Sequence, residues 1–226
     1  MKVCRIHIKF TFIAALLTAA GWGFADDGLR TGFAGRLPPG SVRPHGWLLR
    51  QMELQRDGLT GHAERLYDDI GRSDWLTQAG LGGEFAWERG PYYAKGLVSL
   101  AFALNDDGLK AKAARWVDAI LSSQRENGDF GPKNRNWWAN MIALWMLRDW
   151  QEATGDMRIM PFLERYFDYQ RTEFAIYPLS AESKWAQARA GDELDVVLWL
   201  YRKTKTMCLS YIMIWVLTKN NNFYFR

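Results

Sequence analysis

From about Gly46 onward, apolar residues recur at the three- and four-residue spacing of amphipathic helices. No segment sustains the two-residue alternation that is typical of a half-buried strand. The pattern is interrupted by short stretches rich in glycine, asparagine and aspartate, which favour turns. The spacing predicts helices at about 48–57, 66–70, 91–104, 109–124, 137–153, 159–169 and 194–202. We therefore expect an all-α protein.

The predicted helices follow one another through short turns, so consecutive helices should pack as antiparallel hairpins. Two segments resemble each other, ALWMLR at 143–148 and VLWLYR at 197–202, and indicate a loose internal repeat. Repeated hairpins of this length build either an open solenoid or a closed α/α toroid, and periodicity leaves both open. In a toroid, every second loop lies at the same end.

The segment 121–156 combines a helix end, a glycine-rich loop and the start of a new apolar helix. The loop NGDFGP at 127–132 contains two glycines and a proline, and Trp137, Trp138 and Asn140 then open the helix. Indole faces stack on the C–H surfaces of sugars, and amides bond to sugar hydroxyls. These residues are therefore candidates for carbohydrate binding. The alternative is that both tryptophans belong to the core.

Charged residues stand at two other helix entries. Glu88 precedes a helix that Pro91 can start, and Arg189 and Asp192 precede the last predicted helix. A carboxylate at such a place either accepts bonds from sugar hydroxyls or interacts with the helix N-terminus. Glu88 and Asp192 are also a candidate pair of hydrolase carboxylates, but the sequence assigns no catalytic residue. We expect these loops, 127–136 included, to converge at one mouth of the helical array.

Composition indicates a folded protein with aromatic surfaces, because the chain is 48% hydrophobic and contains 12 tryptophans. Residues 1–25 have the layout of a cleaved signal peptide: a basic start, an apolar run too short for a membrane span, and small residues before Asp26. Removing Lys2, Arg5 and Lys9 lowers the formal net charge from +4 to +1. We expect a secreted or periplasmic protein with no membrane span after cleavage and no nucleic-acid partner.

Several motifs, in this order, resemble the N-terminal part of the β-L-arabinofuranosidase-like glycoside hydrolases, family 127 and its divergent relatives. They are WERGP at 87–91, GLV at 96–98, KAARWVD at 112–118, QRENGDFGP at 124–132, the tryptophan pair at 137–138, EATGD at 152–156 and FLERYFDYQ at 162–170. The resemblance covers about 38–204. It implies part of an (α/α)6 barrel that acts on plant or microbial glycans outside the cytoplasm.

In characterised members of that family, a zinc-bound cysteine is the nucleophile, held with further cysteines and a glutamate. Here Cys208 has no second cysteine nearby, so we expect no cofactor in this chain and no hydrolysis from it alone. Where members carry a histidine-rich motif, this chain has Trp137, Trp138 and Asn140. Another family histidine is replaced within RAGDE at 189–193. The chain thus resembles a divergent branch of the family.

Residues 207–226 depart from the resemblance, with an apolar run followed by a polar and aromatic end. We interpret the chain as a signal peptide at 1–25, an N-terminal portion of the barrel at 26–206, and an aberrant tail of a truncated barrel at 207–226. Three functions are compatible with the sequence. The favoured one is a fragment of a secreted glycosidase, and the others are a non-catalytic carbohydrate-binding toroid and an α/α polysaccharide lyase or cyclase-like toroid.

Overall fold

The computed structural model describes residues 36–133 and 136–206. The expected signal peptide and the expected aberrant tail lie outside these described residues. The helices belong to the compact unit Pro38–Arg226. Within the described ranges every regular element is helical, which confirms the predicted all-α class.

The helices are numbered here in chain order. They are α1 Gly46–Asp57, α2 Leu59–Leu66, α3 Asp68–Gly71, α4 Asp74–Thr77, a 3-10 turn Gly83–Ala86, α5 Arg89–Leu104, α6 Asp107–Ser122, α7 Trp137–Thr154, α8 Ile159–Glu173, α9 Leu179–Glu182, α10 Lys184–Ala188 and α11 Ala190–Thr204.

Short polar residues set the ends of the long helices. Asn105 takes the left-handed conformation after α5, with φ of 55°, and the Asp106 carboxylate then accepts a 2.9 Å bond from the Leu109 amide at the start of α6. Asn136 caps α7 in the same way, through a 3.1 Å bond from the Ala139 amide. Gly155 ends α7 at φ 71°. Such caps satisfy amide and carbonyl groups that a helix leaves unpaired at its ends.

The structure differs from the sequence expectation in its shorter elements, and helices α2 and α4 were not predicted. The short helix predicted at 66–70 is split, because Tyr67 is extended between α2 and α3. The segment between α8 and α11, for which the spacing predicted no helix, contains the short helices α9 and α10. Each is too short to show a helical period in its apolar residues, so the pattern could not have revealed it.

Helix α7 lies at the centre of the array. It packs against α5, α6, α8, α10 and α11. Most of its residues are buried, on every side of the helix, as is typical of a helix enclosed by others. Helices α5 and α6 form one antiparallel hairpin, and α7 and α8 form the next.

Tryptophan side chains connect neighbouring elements through their indole N–H groups. The Trp116 Nε1 atom of α6 donates to Glu64 of α2 at 2.9 Å. From α7, Trp145 donates to the Asp192 carbonyl at 2.9 Å. From α11, Trp199 donates to Glu152 of α7 at 2.7 Å. A buried indole N–H without an acceptor is costly, so these bonds fix which helices are neighbours.

The loop between α6 and α7 is tightly packed against Trp75 of α4. Gly131, at φ 76°, lies against the buried ring of Trp75, and a Cβ atom added there would be 2.5 Å from that ring. Trp75 also contacts Phe130 edge to face, with ring centroids 6.0 Å apart. The loop therefore depends on glycine for both its conformation and its closeness to Trp75.

We predict that Gly131→Ala lowers the free energy of unfolding through two effects. The positive φ costs roughly 1–2 kcal/mol, and the overlap with Trp75 adds about 1–3 kcal/mol. Gly80→Ala is the matched control, because Gly80 has φ 73° and nothing within 4 Å of an added Cβ. Denaturant unfolding of both variants measures the difference. Equal losses in the two variants would contradict the contact with Trp75.

Candidate functional site

The beginnings of α5, α7 and α11 meet at one end of the array. The Trp138 Nε1 atom, at the start of α7, donates a hydrogen bond to Glu88 Oε2 at the start of α5. The Arg189 guanidinium, at the start of α11, lies 5.1 Å from the Trp138 ring centroid. Four of the six residues proposed from the sequence are therefore close together: Glu88, Trp138, Arg189 and Asp192.

Arg189 and Asp192 form an ion pair in which Nε lies 2.5 Å from Oδ2. Burial raises the pKa of the Asp192 carboxyl above its ordinary value, while the nearby Arg189 acts in the opposite direction. The pair is partly exposed, so its contribution to stability is small. Its main effect is to orient the guanidinium over the indole of Trp138.

Aromatic rings surround this guanidinium on the solvent side. Trp185 of α10 is 56% exposed and Tyr92 of α5 is 41% exposed. Trp185 stands edge to face with Trp138 at 5.9 Å, and its centroid is 5.7 Å from Arg189. Tyr92 contacts Trp138 at 6.2 Å. We define the candidate site by these rings and charges: Glu88, Tyr92, Trp138, Trp185, Arg189 and Asp192.

The charges of Glu88 and Asp192 both influence one group of the candidate site, the Tyr92 hydroxyl. Burial raises the pKa of Tyr92, and the negative charges of Glu88 and Asp192 raise it further, while Arg189 lowers it. Both carboxylates therefore act electrostatically on the hydroxyl of an exposed aromatic ring. This arrangement offers acceptors for hydroxyl groups next to an apolar face.

The other two residues proposed from the sequence point away from solvent. Trp137 is 1% exposed, packs against Phe174 and Tyr177, and donates from Nε1 to the Tyr177 carbonyl at 3.2 Å. Asn140 is buried and donates to the Tyr166 hydroxyl at 3.4 Å. Trp138 is itself 1% exposed. The most exposed ring of the candidate site is therefore Trp185, which the sequence analysis did not select.

Glu182 is a second residue that the sequence analysis missed. From the end of α9 it accepts hydrogen bonds from the first two amides of α7, those of Trp137 and Trp138, the latter at 3.3 Å. Burial raises the pKa of the Glu182 carboxyl, and the two amide bonds oppose that change. A carboxylate placed at a helix N-terminus is favourable. No local pattern reveals this cap, since 45 residues separate Glu182 from Trp137.

The polar groups of the glycine-rich loop are used within the protein. Arg125 pairs with Asp129 at 2.5 Å and donates to the Gly131 carbonyl at 2.8 Å. Gly128, at φ 97°, lies so close to α8 that an added Cβ would be 2.3 Å from the Arg165 carbonyl oxygen. These contacts hold the described part of the loop together and against α8. Residues 134 and 135 lie outside the described ranges.

A cavity of about 330 Å³ lies between α6 and α8, apart from the candidate site. It is lined by Leu121, Gln124, Arg158, Pro161, Phe162 and Arg165. The Arg158 guanidinium is already engaged by Asp156 and Asp118.

No described helix has the length and apolar character that a membrane crossing requires. No group of three histidine, cysteine, aspartate or glutamate side chains in 36–133 and 136–206 is arranged to hold a metal ion.

Fold and site together define an all-α hairpin protein with a partly exposed cluster of aromatic and charged residues at one end. Comparison of the chain with protein-family models, with curated proteins and with solved structures finds no match. What the chain does must therefore be argued from its own residues.

We predict that Glu182→Ala destabilises the start of α7. Two largely buried amides lose their acceptor, so the free energy of unfolding should fall by about 1–3 kcal/mol, and the Trp137 and Trp138 amides should exchange with solvent faster. Ser183→Ala is the control, because the Ser183 hydroxyl caps α10 through the Ala186 amide at 3.0 Å instead. Unchanged exchange at both tryptophan amides in Glu182→Ala would contradict the role of this cap.

Proposed function

We propose that this chain is a glycoside-hydrolase-like α/α protein that binds a glycan at the candidate site. The observation that carries the proposal is the half-exposed Trp185 ring beside Arg189, with two carboxylates close by. A sugar ring offers an apolar face for stacking and hydroxyls at its edge for hydrogen bonds. An indole flanked by charged groups complements both.

In this proposal the parts of the site have different tasks. Trp185 and Tyr92 provide the contact area for the apolar face of the sugar. Arg189 donates hydrogen bonds to hydroxyl or ring oxygens, and it is held in place by Asp192 and Trp138. Glu88 and the second Asp192 oxygen accept hydrogen bonds from hydroxyls. Because Glu88 already bonds to Trp138 and Asp192 pairs with Arg189, we assign both carboxylates to binding, and no acid–base pair is proposed.

The proposal also includes the closed toroid and the export of the chain that the sequence predicts. The hairpins would belong to an (α/α)6 toroid, and residues 1–25 would direct export to the periplasm or the exterior, where glycan polymers are found. Support for the toroid comes from the hairpin order and from the gathering of alternate loops at one end. The zinc centre of the resembled family needs several cysteines, whereas this chain supplies Cys4 and Cys208 alone. We therefore derive no step through a metal.

The first test concerns Trp185. Trp185→Ala should weaken binding of arabinose-containing or other neutral oligosaccharides by roughly 1–3 kcal/mol, the scale of losing a stacked aromatic anchor. Stability should change little, because the ring is half exposed. Trp47→Ala is the control, since Trp47 is 77% exposed on α1, outside the site. Calorimetric titration of the full chain measures the affinity of both variants. Equal affinity of the wild type and Trp185→Ala would refute the proposal.

A second test separates the two adjacent buried tryptophans. Trp137→Ala and Trp138→Ala should each lower the free energy of unfolding by about 3–5 kcal/mol, because each leaves a large cavity. Only Trp138→Ala should also weaken sugar binding, since it removes the ring under Arg189. Affinity is measured at a temperature where each variant is folded. A loss of affinity in Trp137→Ala equal to that in Trp138→Ala would argue against the site as defined.

A further inference from the structure

Four polar side chains lie together in the interior between α7, α8 and α11. Asn140, Tyr166, Gln170 and Glu193 are each at most 4% exposed. The Tyr166 hydroxyl accepts hydrogen bonds from Asn140 Nδ2 at 3.4 Å and from Gln170 Nε2 at 3.5 Å. Gln170 Nε2 also donates to Glu193 Oε1. This cluster lies beneath the candidate site, and the proposed sugar does not use it.

Among the described residues, two oxygen atoms of the cluster are buried and have no hydrogen-bond partner: Gln170 Oε1 and Glu193 Oε2. They belong to side chains that are already joined through their other polar atoms. Glu193 makes no ion pair in the described part of the chain. An ionised carboxylate in such a place is expensive, and so is an amide oxygen without a donor.

One proton satisfies both atoms. A neutral carboxylic acid has an O–H donor as well as an accepting carbonyl oxygen, and a primary amide has the complementary N–H donor and carbonyl acceptor. The Gln170 amide already donates to one Glu193 oxygen. If the carboxyl group carries a proton, Glu193 Oε2 becomes a donor, and Gln170 Oε1 is the acceptor that it needs.

We propose that Glu193 is a neutral carboxylic acid at physiological pH, and that its Oε2–H group donates to Gln170 Oε1 to close a cyclic acid–amide pair between α11 and α8. Glu193 follows Asp192 in the first turn of α11. The pair therefore fixes the turn that carries the Arg189–Asp192 ion pair. Loss of the proton would leave a buried charge in this turn and loosen the turn. The stability of the start of α11 is therefore sensitive to pH. The proposal is independent of sugar binding.

Burial and the nearest charged group both favour the neutral form of Glu193, and the Gln170 hydrogen bond opposes them. Burial raises the pKa of Glu193 to about 8, the charge of Glu182 on α9 raises it as well, and the Gln170 hydrogen bond lowers it. On α8, burial raises the pKa of the Tyr166 hydroxyl well above its ordinary value, so that group stays neutral. On α11 itself, Asp192 is engaged by Arg189. The neighbour from α7, Asn140, does not titrate.

The sign of the pH effect follows from linkage. The folded-state pKa lies above the ordinary glutamate value of 4.5, so the folded protein holds a proton that the unfolded chain releases. The stabilisation is complete below about pH 4.5 and is lost as the pH rises through about 8. In that window each pH unit raises the unfolding equilibrium constant about tenfold.

Glu193→Gln in the full chain tests the proposal, because an amide reproduces the hydrogen bonds of the neutral acid without titrating. We expect the variant to fold and its unfolding constant to lack the tenfold rise per pH unit that the proposal predicts for the wild type. The wild type at pH about 7 should also show the infrared carbonyl band of a protonated carboxyl group, which Glu193→Gln should lack. Glu126→Gln, at an exposed position, is the control and should behave like the wild type in both measurements.

Three results would overturn the proposal. The first is an identical pH dependence of unfolding in the wild type and Glu193→Gln. The second is the absence of the protonated-carboxyl band from the wild type. The third is failure of Glu193→Gln to fold where the wild type and Glu126→Gln fold, because the site would then require a carboxylate.

Discussion

The structure depends on a simple requirement: a buried indole must find an acceptor for its N–H group. A tryptophan contributes a large apolar surface to the core, but it also carries one donor that is costly to leave unpaired. In this protein the acceptors lie outside the helix that carries the tryptophan. Each bond therefore also joins that helix to a neighbouring segment. The pairs are Trp75 with the Ala86 and Trp87 carbonyls, Trp116 with Glu64, Trp137 with the Tyr177 carbonyl, Trp138 with Glu88, Trp145 with the Asp192 carbonyl, and Trp199 with Glu152.

The candidate site arises from the same requirement. Satisfying Trp138 brings the Glu88 carboxylate to the start of α7, and satisfying Trp145 holds the Asp192 backbone close to α7. Charged side chains are thereby fixed at the end of the array, where the Arg189–Asp192 ion pair adds to these hydrogen bonds. The exposed rings of Tyr92 and Trp185 then pack on the edge of Trp138. The buried indole thus supports the surface that we propose for sugar binding.

The sequence predicted what local chemistry controls and missed what distant contacts control. The long helices were predictable because apolar spacing and nearby caps such as Asp106 and Asn136 define them. The alternation of hairpins also indicated that the helix entries carrying Glu88, Trp138, Arg189 and Asp192 lie at one end. It could not distinguish a buried tryptophan from an exposed one, so Trp185 was missed. The cluster around Glu193 was hidden too, since its members lie on three helices.

The cap that Glu182 provides has a consequence for the order of biosynthesis. Asn136 is made just before α7 and can close its first turn at once, but the Trp137 and Trp138 amides must wait for a carboxylate made 45 residues later. While α8 is leaving the ribosome, the start of α7 is incomplete and open to water. Its completion coincides with the arrival of α9 and α10, the segment that also brings Trp185. During synthesis, helices α5 to α8 are therefore made before the segment that completes the start of α7 and supplies Trp185.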